Sequence, residues 1–280
     1  MLHDPALARM STTVADLDSI NRRTWKSRNV LRQYRNLAGY VDPGERAATE
    51  YLAAECRDKP ILDIGVGCGR TTSLLWPISS DYVGVDYTRE LLGVAMQKNP
   101  HVRYRYMDAR DMQGFADASF HFVNFSFNAI DAVDYEDRLR ILREVHRILR
   151  PGGVYLFSGH NATGPGVRER FRALLPGFTR NPFKLGLRTA RVIASLPVSI
   201  RNRVRYNRLR QQREGHVVSN AAAHNFGLLI LYTTLPEQKR QLALTGFRTE
   251  AVFDSEQGRV VSDSDDLSQV RWLHYIARKE

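Results

Sequence analysis

Residues 61–72 read Ile-Leu-Asp-Ile-Gly-Val-Gly-Cys-Gly-Arg-Thr-Thr. A short apolar strand runs directly into alternating glycines and then into a helix start. Glycine allows the sharp turn and lets a ligand lie against main-chain atoms. The helix N-terminus beyond the turn favours negative charge. The spacing is G-x-G-x-G, with Asp63 two residues before the first glycine. A dinucleotide fingerprint would be G-x-G-x-x-G, so the turn points away from a dinucleotide. A strand feeding a helix through such a turn belongs in an α/β fold with a parallel sheet.

The rest of the chain keeps to that pattern. Val14, Leu17 and Ile20, then Ala47, Tyr51 and Leu52, recur at helical spacing, and Asp42-Pro43-Gly44 starts the second helix. After the glycine turn, strands are expected at 82–86, 102–107, 120–125 and 154–158. Helices are expected at 88–97, with Thr88 as N-cap, and at 135–149, stopped by Pro151-Gly152-Gly153. Three amphipathic helices are expected at 166–175, 185–195 and 198–213, separated by Pro176-Gly177, Asn181-Pro182 and Pro197. Residues 228–232 then read as a strand, 236–244 as a helix, and 247–253 and 270–278 as strands. The implied units are an N-terminal helical cap (1–45), a ligand-binding core (46–159), a basic helical insertion or lid (160–225) and the C-terminal part of the core sheet (226–280).

Two further acids follow the glycine turn in order. Val83-Gly84-Val85-Asp86 ends the second strand about 20 residues on, where an acid can accept from both hydroxyls of a ribose. Asp108, in Tyr106-Met107-Asp108-Ala109-Arg110, ends the third strand on the same carboxyl edge. With these residues the chain resembles the class I S-adenosylmethionine (SAM)-dependent methyltransferase superfamily over roughly residues 45–160. Ile148-Leu149-Arg150-Pro151-Gly152-Gly153 makes it most similar to the small-molecule methyltransferases. The resemblance implies a Rossmann-like, seven-stranded, mostly parallel sheet with an antiparallel last strand, supplied by 270–278. It implies SAM as cofactor and S-adenosylhomocysteine as product. Asp63, Gly65, Gly67 and Gly69 would cradle the methionine part, and Asp86, with Tyr87 beside it, the ribose. Asp108 and the Ala109 backbone would meet the adenine, and Phe125 to Asn128 would flank the methyl group. Tyr34, with Arg32 and Trp25 as alternatives, would cover the cofactor.

The acceptor is less legible. Asn124-Phe125-Ser126-Phe127-Asn128 lacks the prolines of the nucleic-acid amino methyltransferases, which counts against base methylation. No metal-ligand cluster is expected. His160, directly after the fifth strand, is the candidate base, worth about 10²–10⁴-fold in rate; a histidine capping a strand end is the alternative. Asn128 is the candidate for orienting the acceptor. His224 and Tyr232 flank the return from the insertion and would close the pocket, whereas His146 reads as a packed core histidine.

Charge narrows the partners. The net charge is +11, and residues 161–215 hold 13 Lys/Arg against 2 Asp/Glu, so the remainder is balanced at 28 of each. A neutral body with one basic stretch gives that charge a local role. An anionic or glycan-type small-molecule acceptor fits best, followed by a solvated lid without a ligand, peripheral contact with a membrane or lipid-linked acceptor, and RNA. A catalytically weak SAM-fold binding module that holds RNA or a membrane with its basic arm is the rival from another class. Cys56 and Cys68 are too few for a disulfide framework, and the polar N-terminus lacks a signal peptide's pattern, so the cytoplasm is the expected location.

Overall fold

The computed structural model describes residues 17–35, 39–169, 171–175 and 179–280. Val14, Arg170 and the Pro176-Gly177 break lie outside them. Two short helices, α1 (17–25) and α2 (Arg28–Arg35), precede α3 (Pro43–Ala53). α3 begins where the sequence signals it: the Asp42 side chain accepts from the Glu45 N–H at 2.9 Å, and Pro43 sits in the first turn.

β1 (Ile61–Ile64), β2 (Tyr82–Asp86), β3 (Arg103–Tyr106), β4 (Phe120–Phe125) and β5 (Leu149–His160) alternate with α4 (Thr72–Leu75), α5 (Arg89–Lys98) and α6 (Tyr135–Ile148). Thr88 occupies the cap position of α5 but makes no side-chain cap bond. β9 (Phe247–Asp254) and β10 (Trp272–Lys279) complete a seven-stranded sheet in the order β3-β2-β1-β4-β5-β10-β9. Strands β1 to β5 pair in parallel, and β10 runs antiparallel to both β5 and β9. This is the Rossmann-like architecture expected. One face packs α6 through Leu139, Leu142 and Val145, together with Leu235 and Leu242 of α8 (Leu235–Leu244). The other packs Ala48 and Leu52 of α3 and Leu75 of α4.

Residues 160–233 depart from the expectation in three ways. The stretch expected as a helix at 166–175 holds two 3-10 turns, Pro165–Arg168 and Phe171–Leu174. The next two expected helices are one, α7 (Pro182–Asn207), which continues through Pro197. β6 (Gln211–Arg213), β7 (His216–Ala221) and β8 (Leu228–Thr233) form a separate antiparallel sheet. β8 is buried throughout because its two faces meet different partners: Leu229 and Leu231 pack with Leu17, Ile20 and Tyr206, while Leu228, Ile230 and Tyr232 pack with Val167. An apolar run announces a buried strand but does not say which sheet it joins. The core sheet therefore resumes after α8, not at 228.

Candidate active site

The carboxyl ends of β1, β2 and β4 and the segment after β3 open into one cavity. It is lined by Gly65, Gly67, Asp86, Tyr87, Asp108, Ala109 and Phe125, and roofed by Arg22 and Trp25 of α1 and Tyr34 of α2. That edge of a doubly wound sheet is where ligands bind. The three glycines divide their work. Gly65 and Gly67 have φ of +66° and +53°, a region that other residues rarely enter. A Cβ on Gly65 would stand 2.8 Å from the Phe125 ring. Above Gly67 the nearest atom to such a Cβ is Tyr34 Cδ1 at 3.9 Å, so a side chain there would occupy the cavity itself. Gly69 faces away: its Cβ would meet Asn99 Nδ2 at 3.0 Å, and it is absent from the lining.

Asp63 and Asp86 also divide. Asp63 is fully buried behind the turn and accepts from Tyr82 Oη at 2.6 Å, from Asn124 Nδ2 at 2.7 Å and from the Thr71 hydroxyl. Burial pushes its carboxyl up to about 6, against these three hydrogen bonds. It holds β1, β2 and β4 to the turn and does not line the cavity. Asp86 does. Its Oδ2 accepts from the Gly67 N–H at 2.8 Å and its Oδ1 from the Thr88 N–H at 2.6 Å. Burial raises its pKa, and the Thr88 and Gly67 amides oppose the rise.

Asp108 lines the cavity, but its carboxylate is already engaged. Oδ1 accepts from the Arg110 N–H and Nε, both at 3.0 Å; Oδ2 accepts from Arg110 Nη2 at 2.7 Å and from Arg22. Burial works against the charge, yet the Arg110 and Arg22 bonds outweigh it and hold the carboxyl at about 2. Four donors fill its acceptor positions, so an adenine amino group reaches this side chain only by displacing Arg22. The Arg22 guanidinium also lies 4.4 Å over the Tyr87 ring, tying α1 to the far end of the cavity.

At the end of β4 the backbone is strained. Phe127 and Asn128 have φ of +57° and +58°. Phe127 joins the lining, and Arg70, ion-paired with Glu45 at 2.6 Å, stacks 5.0 Å over its ring. The Asn128 N–H donates to Ser158 Oγ at 2.8 Å, while Asn128 Oδ1 is buried without a partner among the described residues. Asn128 is not in the lining.

His160 has a partner that sequence reasoning missed. Its Nδ1 lies 2.7 Å from Asp131 Oδ2, and its backbone N–H donates to the same oxygen at 2.6 Å. Asp131 is fully buried and is also paired with buried Arg138, which Gln238 and Gln241 hold in turn. An acceptor-only carboxylate at Nδ1 fixes the proton there and leaves the lone pair on Nε2. Ala129 and Ala132, either side of Asp131, line the cavity; His160 is not in the lining. The adjacency of β4 and β5 is the signal that would have found the pair, because Asp131 and His160 follow neighbouring strand ends.

The roof is aromatic. Trp25, Tyr34 and His224 contact one another at ring-centroid distances of 5.4–5.9 Å. Burial alone holds the His224 imidazole down at about 4, so it packs as a neutral ring. Tyr232 closes nothing; it is buried against the His160 ring at 5.1 Å. His146 is half-buried edge-on to Phe247 at 5.3 Å, as a packing residue. Cys56 and Cys68 are free thiols. Among the described residues no His/Cys/Asp/Glu group is placed to hold a metal, and no helix is long and apolar enough to cross a membrane.

The chain is similar to known methyltransferases. Residues 61–153 match a family described as a methyltransferase domain. A demethylmenaquinone methyltransferase of Chlorobaculum parvum is 35% identical over 98 residues, covering 35% of this chain and 39% of the relative. A trans-aconitate 2-methyltransferase of Azoarcus sp. is 31% identical over 182 residues, covering 63% and 64%. The chain thus spans less than two thirds of either curated relative. The crystal structure of 1,6-didemethyltoxoflavin-N1-methyltransferase from Burkholderia thailandensis, with bound 1,6-didemethyltoxoflavin and S-adenosylhomocysteine, superposes with a TM-score of 0.59. It covers 95% of this chain and 90% of that one at 15% identity, a likeness of fold.

Proposed function

We propose that the chain is a class I SAM-dependent methyltransferase that transfers the methyl group of SAM to an oxygen or nitrogen of a small-molecule acceptor. The observation that carries the reading is the cavity over Gly67. Its floor is kept clear by the missing side chain, and Asp86, anchored by the Gly67 and Thr88 amides, stands at its edge. A ribose on Asp86 would place the amino-acid end of the cofactor along Gly65 and Gly67 and its base towards Ala109 and Tyr87.

Bound SAM supplies a methyl group already made electrophilic by the sulfonium. What remains for the chain is alignment and proton removal. Tyr34 and Trp25 cover the cavity and exclude water. Asn128 Oδ1, a buried acceptor without a partner among the described residues, lies outside the cavity lining and would orient an acceptor N–H or O–H only if the strained turn that carries it moves. His160, with Nδ1 held by Asp131, offers Nε2 as the base. Relatives named for demethylmenaquinone, trans-aconitate and the N1 of 1,6-didemethyltoxoflavin support a small-molecule acceptor and differ on which one. The basic insertion favours an anionic acceptor. The reading is that of a protein working in the cytoplasm.

Calorimetric titration with SAM and, separately, with NAD tests the proposal. SAM binding that Asp86→Ala weakens by about 100-fold or more, with no NAD binding, supports it. NAD binding, or SAM affinity that Asp86→Ala leaves unchanged, overturns it.

A further inference from the structure

A second cleft lies on the other side of the aromatic roof. It runs between α1–α2 and α7, has a volume of about 830 Å³ and is lined by Arg23, Arg32, Arg191, Arg201 and Arg205, with no Asp or Glu in its walls among the described residues. Among the described residues, none of these five guanidiniums has a carboxylate or hydrogen-bonded partner; Arg205 lies over the Tyr206 ring at 5.7 Å. Glu169, the nearby acid, accepts from the Ala222 N–H instead. Arg203, on the same helix, is not part of the set: it donates to the Asn220 carbonyl and stacks on Phe226. Five like charges converging on one cleft repel one another unless an anion sits between them.

The floor of the cleft is a second, independent observation. His224, Asn225 and Phe226 have consecutive φ values of +53°, +60° and +56°, none of them glycine. Backbone strain of this kind persists where surrounding bonds over-determine it and gathers at ligand sites. Here Asn202 Nδ2 donates to the Asn225 carbonyl at 3.0 Å and Asn220 Nδ2 to the Phe226 carbonyl at 2.6 Å. The bend places His224 at the boundary: it lines the cleft and packs against Trp25 and Tyr34, which line the cofactor cavity.

We propose that this cleft is a binding site for a compact multivalent anion, a polycarboxylate or a polyphosphate group, which bridges α1–α2 to α7 and fixes the aromatic roof over the cofactor cavity. Arginine suits both chemistries because its planar fork pairs bidentately with carboxylate and phosphate. A ligand that draws α1–α2 onto α7 favours the same closed roof as a cofactor beneath it, so the two sites are coupled reciprocally. The coupling rests on the methyltransferase reading; the anion site does not.

The test titrates the full chain with citrate and with inorganic pyrophosphate, each with and without saturating S-adenosylhomocysteine. Binding of either anion at one site per chain is expected, and which one binds tells carboxylate from phosphate chemistry. Arg201→Gln/Arg205→Gln should weaken it by about tenfold or more, Arg23→Gln/Arg32→Gln on the opposite wall likewise, and exposed Arg57→Gln not at all. Saturating anion should tighten S-adenosylhomocysteine by about fivefold. The site is overturned if neither anion binds, if both double variants bind like wild type, or if only duplex RNA or anionic phosphatidylglycerol vesicles bind. An unchanged S-adenosylhomocysteine affinity at saturating anion overturns the coupling. Arginine-dependent anion binding without any S-adenosylhomocysteine binding would instead retire the methyltransferase reading and leave the anion site standing. S-adenosylhomocysteine binding unaltered in both double variants shows that they remain folded.

Discussion

Asp63 and Asp86 bracket the same glycine turn and face opposite ways. Asp63 is spent on three hydrogen bonds behind the turn, whereas Asp86 meets the cavity. Replacing Asp63 should therefore unfold the turn, and replacing Asp86 should empty the site while sparing the fold. The sequence pattern shows that both acids belong to the site but not which way each points, because burial of a strand-end acid depends on neighbours such as Tyr82 and Asn124. The same holds for Asp108, expected as an adenine contact and found clamped by Arg22 and Arg110. Its folded pKa of about 2 lies below its ordinary value of 3.8, so its contribution to stability is full above pH 4 and is lost as pH falls from about 4 to about 2. Acid-unfolding midpoints of Asp108→Asn should be flatter across that window than those of wild type. Equal slopes would show that the clamp contributes no stability. His160→Ala should lower turnover about 10²–10⁴-fold with SAM affinity unchanged, and Asp131→Asn should shift the pH profile of kcat as well as lower it. A histidine that only caps β5 would leave both readouts unmoved.

At the scale of elements, the strands of the parallel sheet were legible because they alternate with turns and helix-length segments, and α6 because it is a long, regular pattern with a cap and a stop of its own. Asp134 caps α6 at 2.9 Å from the Asp137 N–H, and the buried face is the one periodicity marks. The insertion was not legible, since arginines spread over 161–215 mask both the β6–β7 turn at Gly215 and the continuity of α7. Pro197 reads as a break, yet α7 carries it internally at the cost of one backbone hydrogen bond. Pro197→Ala should therefore stabilise the chain by about 1–3 kcal/mol, seen as a higher midpoint in urea with the slope unchanged. A lower midpoint would mean that the proline ring is needed to seat Tyr206 and Ser199, the buried residues of α7. The roof carries its own pH signature. His224 is held at about 4, below its ordinary 6.5, so the unfolded chain takes up its proton first and stability declines as pH falls from about 6.5 to about 4. His121, His146 and His216 are also held down by burial, so His224→Phe should lessen that decline without abolishing it, measured by thermal melting across the window; an unchanged decline would show that His224 contributes nothing to it.

The whole molecule is a charge-balanced sheet domain with a basic appendage, and the two parts meet at the aromatic roof. Helices α1 and α2 have one side on the cofactor cavity and the other on the arginine cleft, so whatever orders them acts on both. The division follows from local chemistry: the glycine turn and its acids keep the floor of one cavity open, and unpaired guanidiniums keep the other hungry for an anion. All of this turns on the space between Gly67 and Tyr34 being the cofactor site. A crystal structure of the chain soaked with S-adenosylhomocysteine tests that most directly. The account predicts the ligand over Gly67, its ribose hydroxyls on Asp86 and the Tyr34 ring above it. S-adenosylhomocysteine bound elsewhere, or a ribose that leaves Asp86 untouched, would contradict it.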